Sequence, residues 1–334
     1  MSIHIPLLHQ LMTVEAATAI IRTGRYLALA GDEGALGQLP TGNWIGGTIP
    51  YFMDTCGGCM DRELVFVTEL PVYDEVPLIR FYNQETLPQL CANAPANGYS
   101  IIILPGMSDI HAAYAHQAPR YQDMYLKPLL GYVAGVALDD IGRTTPKVWH
   151  GQSGRCSDTQ AVVMDVPLPP HRYARIDIAN PFTPGDAATL VFPEGGFSAG
   201  PCLIDGQPGN LAEHLLASGA DTRLPLVADY CGALVNVSIK AIDAAQGRVD
   251  FYAPVFPGVS YRIAAPVADY VAAFRRVLPR LAEPAAFACN CILNYRYGEL
   301  EGRTTGDFTG PMTFGEIAYQ LLNQTLVYMT IEAA

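Results

Sequence analysis

Tyr99-Ser100-Ile101-Ile102-Ile103-Leu104 is the stretch that most limits what this chain can become. It is a nearly unbroken apolar run, closed at once by Pro105-Gly106. A strand that is apolar on both faces must be covered on both faces, and that is the habit of a parallel strand sandwiched between other layers. The flanks agree. Thr86–Ala92 reads as a helix before it, and Asp109–Tyr125 as a helix after it with a break near Pro119. Leu129–Val136 then reads as a strand interrupted by glycines, which marks a backbone that something approaches closely. The fold class expected is α/β, with mixed sheets and helices.

Other segments fit the same frame. Thr13 is placed to cap a helix over Val14–Arg22, with Glu15 in its first turn and Gly24 as its stop. Tyr26–Ala30 and Leu64–Thr68 read as buried strands. Ala161–Val166, Tyr173–Ile178 and Ala188–Phe192 read as antiparallel strands joined by Pro- and Gly-rich turns. Gly247–Phe256 and Val259–Ala264 read as a hairpin about Pro257-Gly258. Pro266–Leu278 reads as an amphipathic helix. No low-complexity linker divides the chain, so a division into residues 1–160 and 161–334 is soft.

Charge restricts the partners. The 334 residues carry 32 acidic and 20 Lys/Arg side chains, a net charge of −12, with no basic run. Nucleic acid and anionic membrane surfaces need clustered cations, so neither is an expected partner. No run reaches the roughly 18 apolar residues of a spanning helix. Met1–Met12 lacks a basic start and a small-residue cleavage site, so it does not read as an export signal. A cytoplasmic protein with reduced thiols is expected.

The closing stretch, Gly310–Ile331, runs from Gly310-Pro311 through Phe314-Gly315-Glu316-Ile317 to Leu326–Ile331, a β-branched and aromatic strand. Glu316 stands where an apolar residue would cost less, which suits a helix-start carboxylate or a ligand contact. Residues 42–51 echo residues 310–319: Gly42/Gly310, Gly47/Gly315, Ile49/Ile317 and Tyr51/Tyr319 coincide. Each copy lies between strand-like runs, so an internal duplication is expected.

Three segments carry a resemblance to a known family: Gly315-Glu316-Ile317 followed by Asn323-Gln324-Thr325-Leu326; the small strand at Ala288-Cys289; and Pro128–Gly135. Together they resemble the FIST family of intracellular sensory domains, ligand-binding modules of bacterial signal transduction. About a quarter of the chain is covered, and residues 1–80 and the Pro-rich middle have no counterpart. The resemblance implies two related halves around a central ligand pocket, a cytosolic sensory role, and output supplied by a signalling partner protein. A homodimer is expected only from the frequency of twofold assemblies.

Candidate chemistry is sparse. Glu316, Arg296, Tyr295, Asn323 and Trp44 are candidates for a polar pocket that takes a small zwitterion, with Arg296 holding a carboxylate bidentately. Cys56-Gly57-Gly58-Cys59 is a CxxC pair that could serve redox exchange or supply half of a zinc site. Cys289 and Cys291, two apart in a strand, share a face but are poorly spaced for zinc. The alternative to a sensor is therefore a cysteine-dependent enzyme or thiol redox protein built on Cys56 and Cys59, beside Asp54 and Asp61. Seven histidines show no HxH or HExxH spacing, and none is selected as a haem ligand. No GxGxxG or phosphate-loop motif is present.

Overall fold

A computed structural model describes residues 7–230 and 232–334. It is an α/β protein of several sheets with few helices, and its strand order repeats. The first unit runs β1 (His9–Thr13), α1 (Val14–Ile21), β2 (Leu27–Gly31), α2 (Glu33–Leu36), β3 (Trp44–Thr48), the hairpin β4 (Tyr51–Asp54) and β5 (Gly57–Met60), and β6 (Leu64–Glu69). The second has β7 (Leu78–Tyr82), α3 (Leu90–Asn93), β8 (Gly98–Pro105), α4 (Asp109–Gln117), β9 (Leu129–Ala134), the hairpin β10 (Val148–His150) and β11 (Arg155–Ser157), and β12 (Ala161–Pro167).

The third unit begins with β13 (Arg172–Ala179) and is interrupted by an inserted β-rich module. That module runs from β14 (Leu190–Val191) to β22 (Ser260–Ile263) and carries α5 (Leu211–Ser218) over a core of its own. The unit resumes with α6 (Tyr270–Val277), β23 (Phe287–Cys291), α7 (Ile292–Tyr297), β24 (Gly310–Thr313), the hairpin β25 (Glu316–Ala318) and β26 (Gln320–Leu322), and β27 (Leu326–Ala333).

The three sheets are β1-β6-β2-β3-β10-β11, β7-β12-β8-β9-β25-β26 and β13-β27-β23-β24-β4-β5. In each, the third and fourth strands are parallel and every other pair is antiparallel. The last two strands of every sheet are a hairpin lent by another unit. Unit one lends its hairpin to unit three, unit two to unit one, and unit three to unit two. This cyclic exchange ties the three units together through backbone hydrogen bonds.

Side-chain alternation does the rest. Ile101 and Ile103 turn to a core shared by all three units, while Ile102 and Leu104 turn outward beneath α4. Ala28 and Ala30 face the shared core, and Leu27 and Leu29 face α1 and Trp44. Phe287, Cys289 and Cys291 face it too, with Ala288 on the other side near Phe274 of α6. A strand covered on both faces is apolar throughout, which is why the Tyr99–Leu104 run was so legible.

Several expectations are adjusted here. Internal repetition is present, but the strand pattern occurs three times. Its register pairs Thr48 with Thr313 as the last residues of their parallel strands, whereas the sequence echo placed Ile45 there, three residues earlier. A division at residue 160 would cut β12 from its partners β7 and β8. Residues 248–255 and 260–263 do not pair with each other; the first joins strands at 196–199 and 239–243, the second strands at 190–191 and 226–228. The Pro257-Gly258 turn thus links two sheets. Glu316 lies in a strand and starts no helix.

Candidate functional site

In sheets with parallel strands, ligands bind beyond the carboxyl ends of those strands, where crossover chains leave room and helix N-termini point. The second unit has a cleft of about 910 Å³ at that place. It is lined by the turn after β8 (Gly106, Met107, Ser108), the start of α4 (Asp109, Ile110), the crossover after β9 (Gly142–Pro146), Asp158–Gln160 before β12, and Asn83–Glu85 after β7.

The local sequence explains the turn. Pro105 ends the strand, Met107 takes a left-handed conformation (φ 59°), and Ser108 caps α4 by accepting from the His111 N–H at 3.3 Å. The Ser108 hydroxyl also donates to the Pro105 carbonyl at 2.5 Å. His111 sits beneath the turn, its Nδ1 accepting from the Met107 N–H at 3.3 Å. Burial pushes its pKa down to about 4, so the ring is neutral near pH 7. Its Nε2 has no partner among the described residues, and its ring lies edge-on to Phe197 of the inserted module.

Across the cleft, Arg143 is exposed and reaches Asp140 at 3.4 Å and the Asp139 carbonyl. Asp140 also receives Arg62 at 2.6 Å, and Lys147 pairs with Glu33. These ion pairs fasten the crossover loop to the first unit. The lining combines carboxylates (Glu85, Asp109, Asp158), one guanidinium, and the hydroxyls of Ser108, Thr144, Thr145 and Thr159. Such a surface suits a polar ligand that carries an amino group as well as an anionic or hydroxyl group.

The residues singled out from sequence lie elsewhere. Glu316 joins Asn290, Asn294 and Thr325 in a buried polar cluster, while Asn323 is buried beside it and accepts from Asn236 through its backbone carbonyl at 3.1 Å. Glu316 Oε2 accepts from the Thr325 backbone at 3.1 Å and hydroxyl at 2.8 Å, and burial raises its pKa to about 8. Asn323 Nδ2 turns to the neighbouring Leu322 carbonyl at 3.0 Å. Arg296 is exposed, its guanidinium over the Tyr297 ring at 6.0 Å. Tyr295 is buried against Tyr51, ring centroids 5.4 Å apart. Trp44 is buried in the first unit's outer core, its Nε1 donating to Pro40 O at 2.9 Å. None of the five lines the cleft at Met107.

Cys56 is exposed at the β4–β5 turn, and Cys59 is half-buried on β5, where burial and then Asp54 push its thiol up to about 11. That is the reverse of an activated thiol. Cys289 and Cys291 are buried in the shared core, Cys289 donating to Gly131 O at 3.3 Å. Among the described residues, no three His, Cys, Asp or Glu side chains are placed to hold a metal ion. Also among them, no helix is long and apolar enough to cross a membrane.

Sequence reasoning missed the cleft. Pro105-Gly106 was visible as the end of the strand, but its meaning depends on β8 and β9 being parallel neighbours.

The architecture is that of an α/β protein built from three swapped units, with a cleft at the ends of a parallel strand pair. The chain belongs to a family of unknown function, DUF6976, whose model matches residues 12–332. No curated protein and no solved structure matches it.

Proposed function

We propose that this protein binds a small polar molecule in the cleft between Met107 and Arg143, and that binding serves a sensory role of the FIST type. The observation that carries the reading is the position of that cleft: about 910 Å³ beyond the carboxyl ends of β8 and β9, at the start of α4. The ligand class is a zwitterion or an amine-bearing polyol. Asp109 and Asp158 would take the ammonium, and Arg143 with the threonine hydroxyls would take the opposite end. The sensory part rests on the Gly315-Glu316-Ile317 and Asn323–Leu326 segments. The loop from Gly135 to Pro146 is the natural reporter, because it joins the second unit's cleft to the first unit's ion pairs.

A thermal-shift screen of amino acids, polyamines and aminoglycosides tests the reading. A hit should weaken about tenfold or more in Asp109→Asn or Arg143→Gln. Hits that are unaffected by both substitutions, or whose NMR footprint avoids residues 106–110, would remove the assignment.

A further inference from the structure

The molecule carries a second cleft, of about 850 Å³, with a lining separate from that of the one at Met107. It lies between the first and third units and is lined by the start of β2 (Arg25, Tyr26), the chain after β6 (Leu70–Tyr73), Arg172 at the start of β13, Leu281–Pro284 and the end of β27. Arg172 sets it apart. Among the described residues, every other arginine that lacks a carboxylate within ion-pair distance is exposed; Arg172 is half-buried. Its Nε is buried and has no hydrogen-bond partner among the described residues, and its guanidinium lies over the Tyr73 ring, 5.9 Å from the centroid.

The Nε–H held out of water without an acceptor costs free energy, and the rest of the guanidinium, which no carboxylate among the described residues holds, is left to a bound anion. Two nearby carboxylates are already engaged. Glu69 holds Arg25 at 2.9 Å, and Glu332 accepts from Tyr173 at 2.6 Å and Thr330 at 3.1 Å. Tyr73 places its ring beside the guanidinium, and the Nη groups, which no carboxylate among the described residues holds, are left for a planar acceptor.

We propose that this cleft is a second binding site, for a small monocarboxylate with an apolar body. Arg172 holds the carboxylate through its edge, and Tyr26, Tyr73 and Leu281 offer the apolar wall. The charge of the rim sets the valence of the ligand. Glu69, Glu283 and Glu332 line the same cleft, so a dianion meets more repulsion than a monoanion. The site shares no lining residue with the cleft at Met107, so the two assignments stand or fall separately.

Benzoate is the probe, with benzamide as its neutral counterpart and inorganic phosphate as the competing anion; binding is read by calorimetry and by thermal shift. Benzoate is expected to bind saturably and benzamide about tenfold more weakly. Arg172→Gln should weaken benzoate by about tenfold or more, and Arg172→Lys should restore only part, because a point charge lacks the fork. Failure of benzoate to bind, equal affinity for benzamide, or unchanged affinity in Arg172→Gln would overturn the proposal. So would displacement of benzoate by phosphate at lower concentration. If Arg172→Gln does not fold, the comparison of benzoate with benzamide on the unaltered protein decides.

Discussion

Thr325 donates twice to one oxygen of Glu316, from its backbone at 3.1 Å and from its hydroxyl at 2.8 Å, yet the other oxygen, Oε1, has no partner among the described residues. The carboxyl is fully buried. Burial outweighs these two hydrogen bonds and a weaker contribution from the Cys291 thiol, and raises its pKa from 4.5 to about 8.

The folded state holds a proton that the unfolded state releases above about pH 4.5, so folding stability falls as pH rises from there through about 8. Glu316→Gln should flatten that slope and make the variant more stable than the parent at pH 9, by on the order of a few kcal/mol. Urea midpoints at pH 5, 7 and 9 measure it. A parallel pH dependence in the two proteins would show that Glu316 does not titrate in this range.

The crossovers between units make a second test. The Gly135 N–H donates to Thr48 O at 2.6 Å, tying unit two to unit one, and a Cβ on Gly135 would stand 2.2 Å from the Phe314 ring of unit three. Gly135→Ala should therefore destabilise the fold by about 2–4 kcal/mol through overpacking. Phe314→Leu should recover part of that loss in the double variant, and thermal melts of the four proteins give the coupling. Simple additivity would mean that the three crossovers do not pack on one another.

Much of the interior was legible because burial on both faces writes itself into the sequence. Tyr99–Leu104 is β8, and Thr13 caps α1 through its hydroxyl, 3.2 Å from the Ala16 N–H. The glycine expected to permit a close approach is Gly131, where a Cβ would meet Ile102 O at 1.8 Å. Cys289 and Cys291 share the inward face as strand periodicity requires.

The exchange of hairpins was not legible. Strands such as β10 and β25 have three residues each, too few to show alternation, and their partners lie in other units. The inserted module between β13 and α6 separates the third unit's first strand from its remainder and hides the third repeat. Glu316 was noticed for its charge, but charge alone did not distinguish a buried structural carboxyl from a ligand contact.

Thiol reactivity should divide by burial. Cys56 and Cys156 are exposed and should react first with a disulfide reagent at neutral pH. Cys59 should lag behind them, since its pKa of about 11 leaves little thiolate. Cys91, Cys202, Cys289 and Cys291 are buried and should react only on unfolding. Mass-mapped labelling over time checks the order. If Cys59 reacted as fast as Cys56, a thiol function for the CxxC loop would regain support.

Tyr132 supplies the last test, because it joins two units through one hydroxyl. It is fully buried, and its hydroxyl lies 2.9 Å from Leu29 O and 3.4 Å from Gly47 O. The ring belongs to β9 of unit two and both carbonyls to unit one. Tyr132→Phe keeps the packing volume and removes only this bond, so it should cost about 1–2 kcal/mol. If the units fold together, the melt stays a single transition and shifts down as a whole. If the first unit loosens alone, Trp44 and Trp149, both buried there, should report an earlier fluorescence transition than far-ultraviolet circular dichroism does. Coincident transitions are expected, because the borrowed hairpins leave no unit able to complete its own sheet.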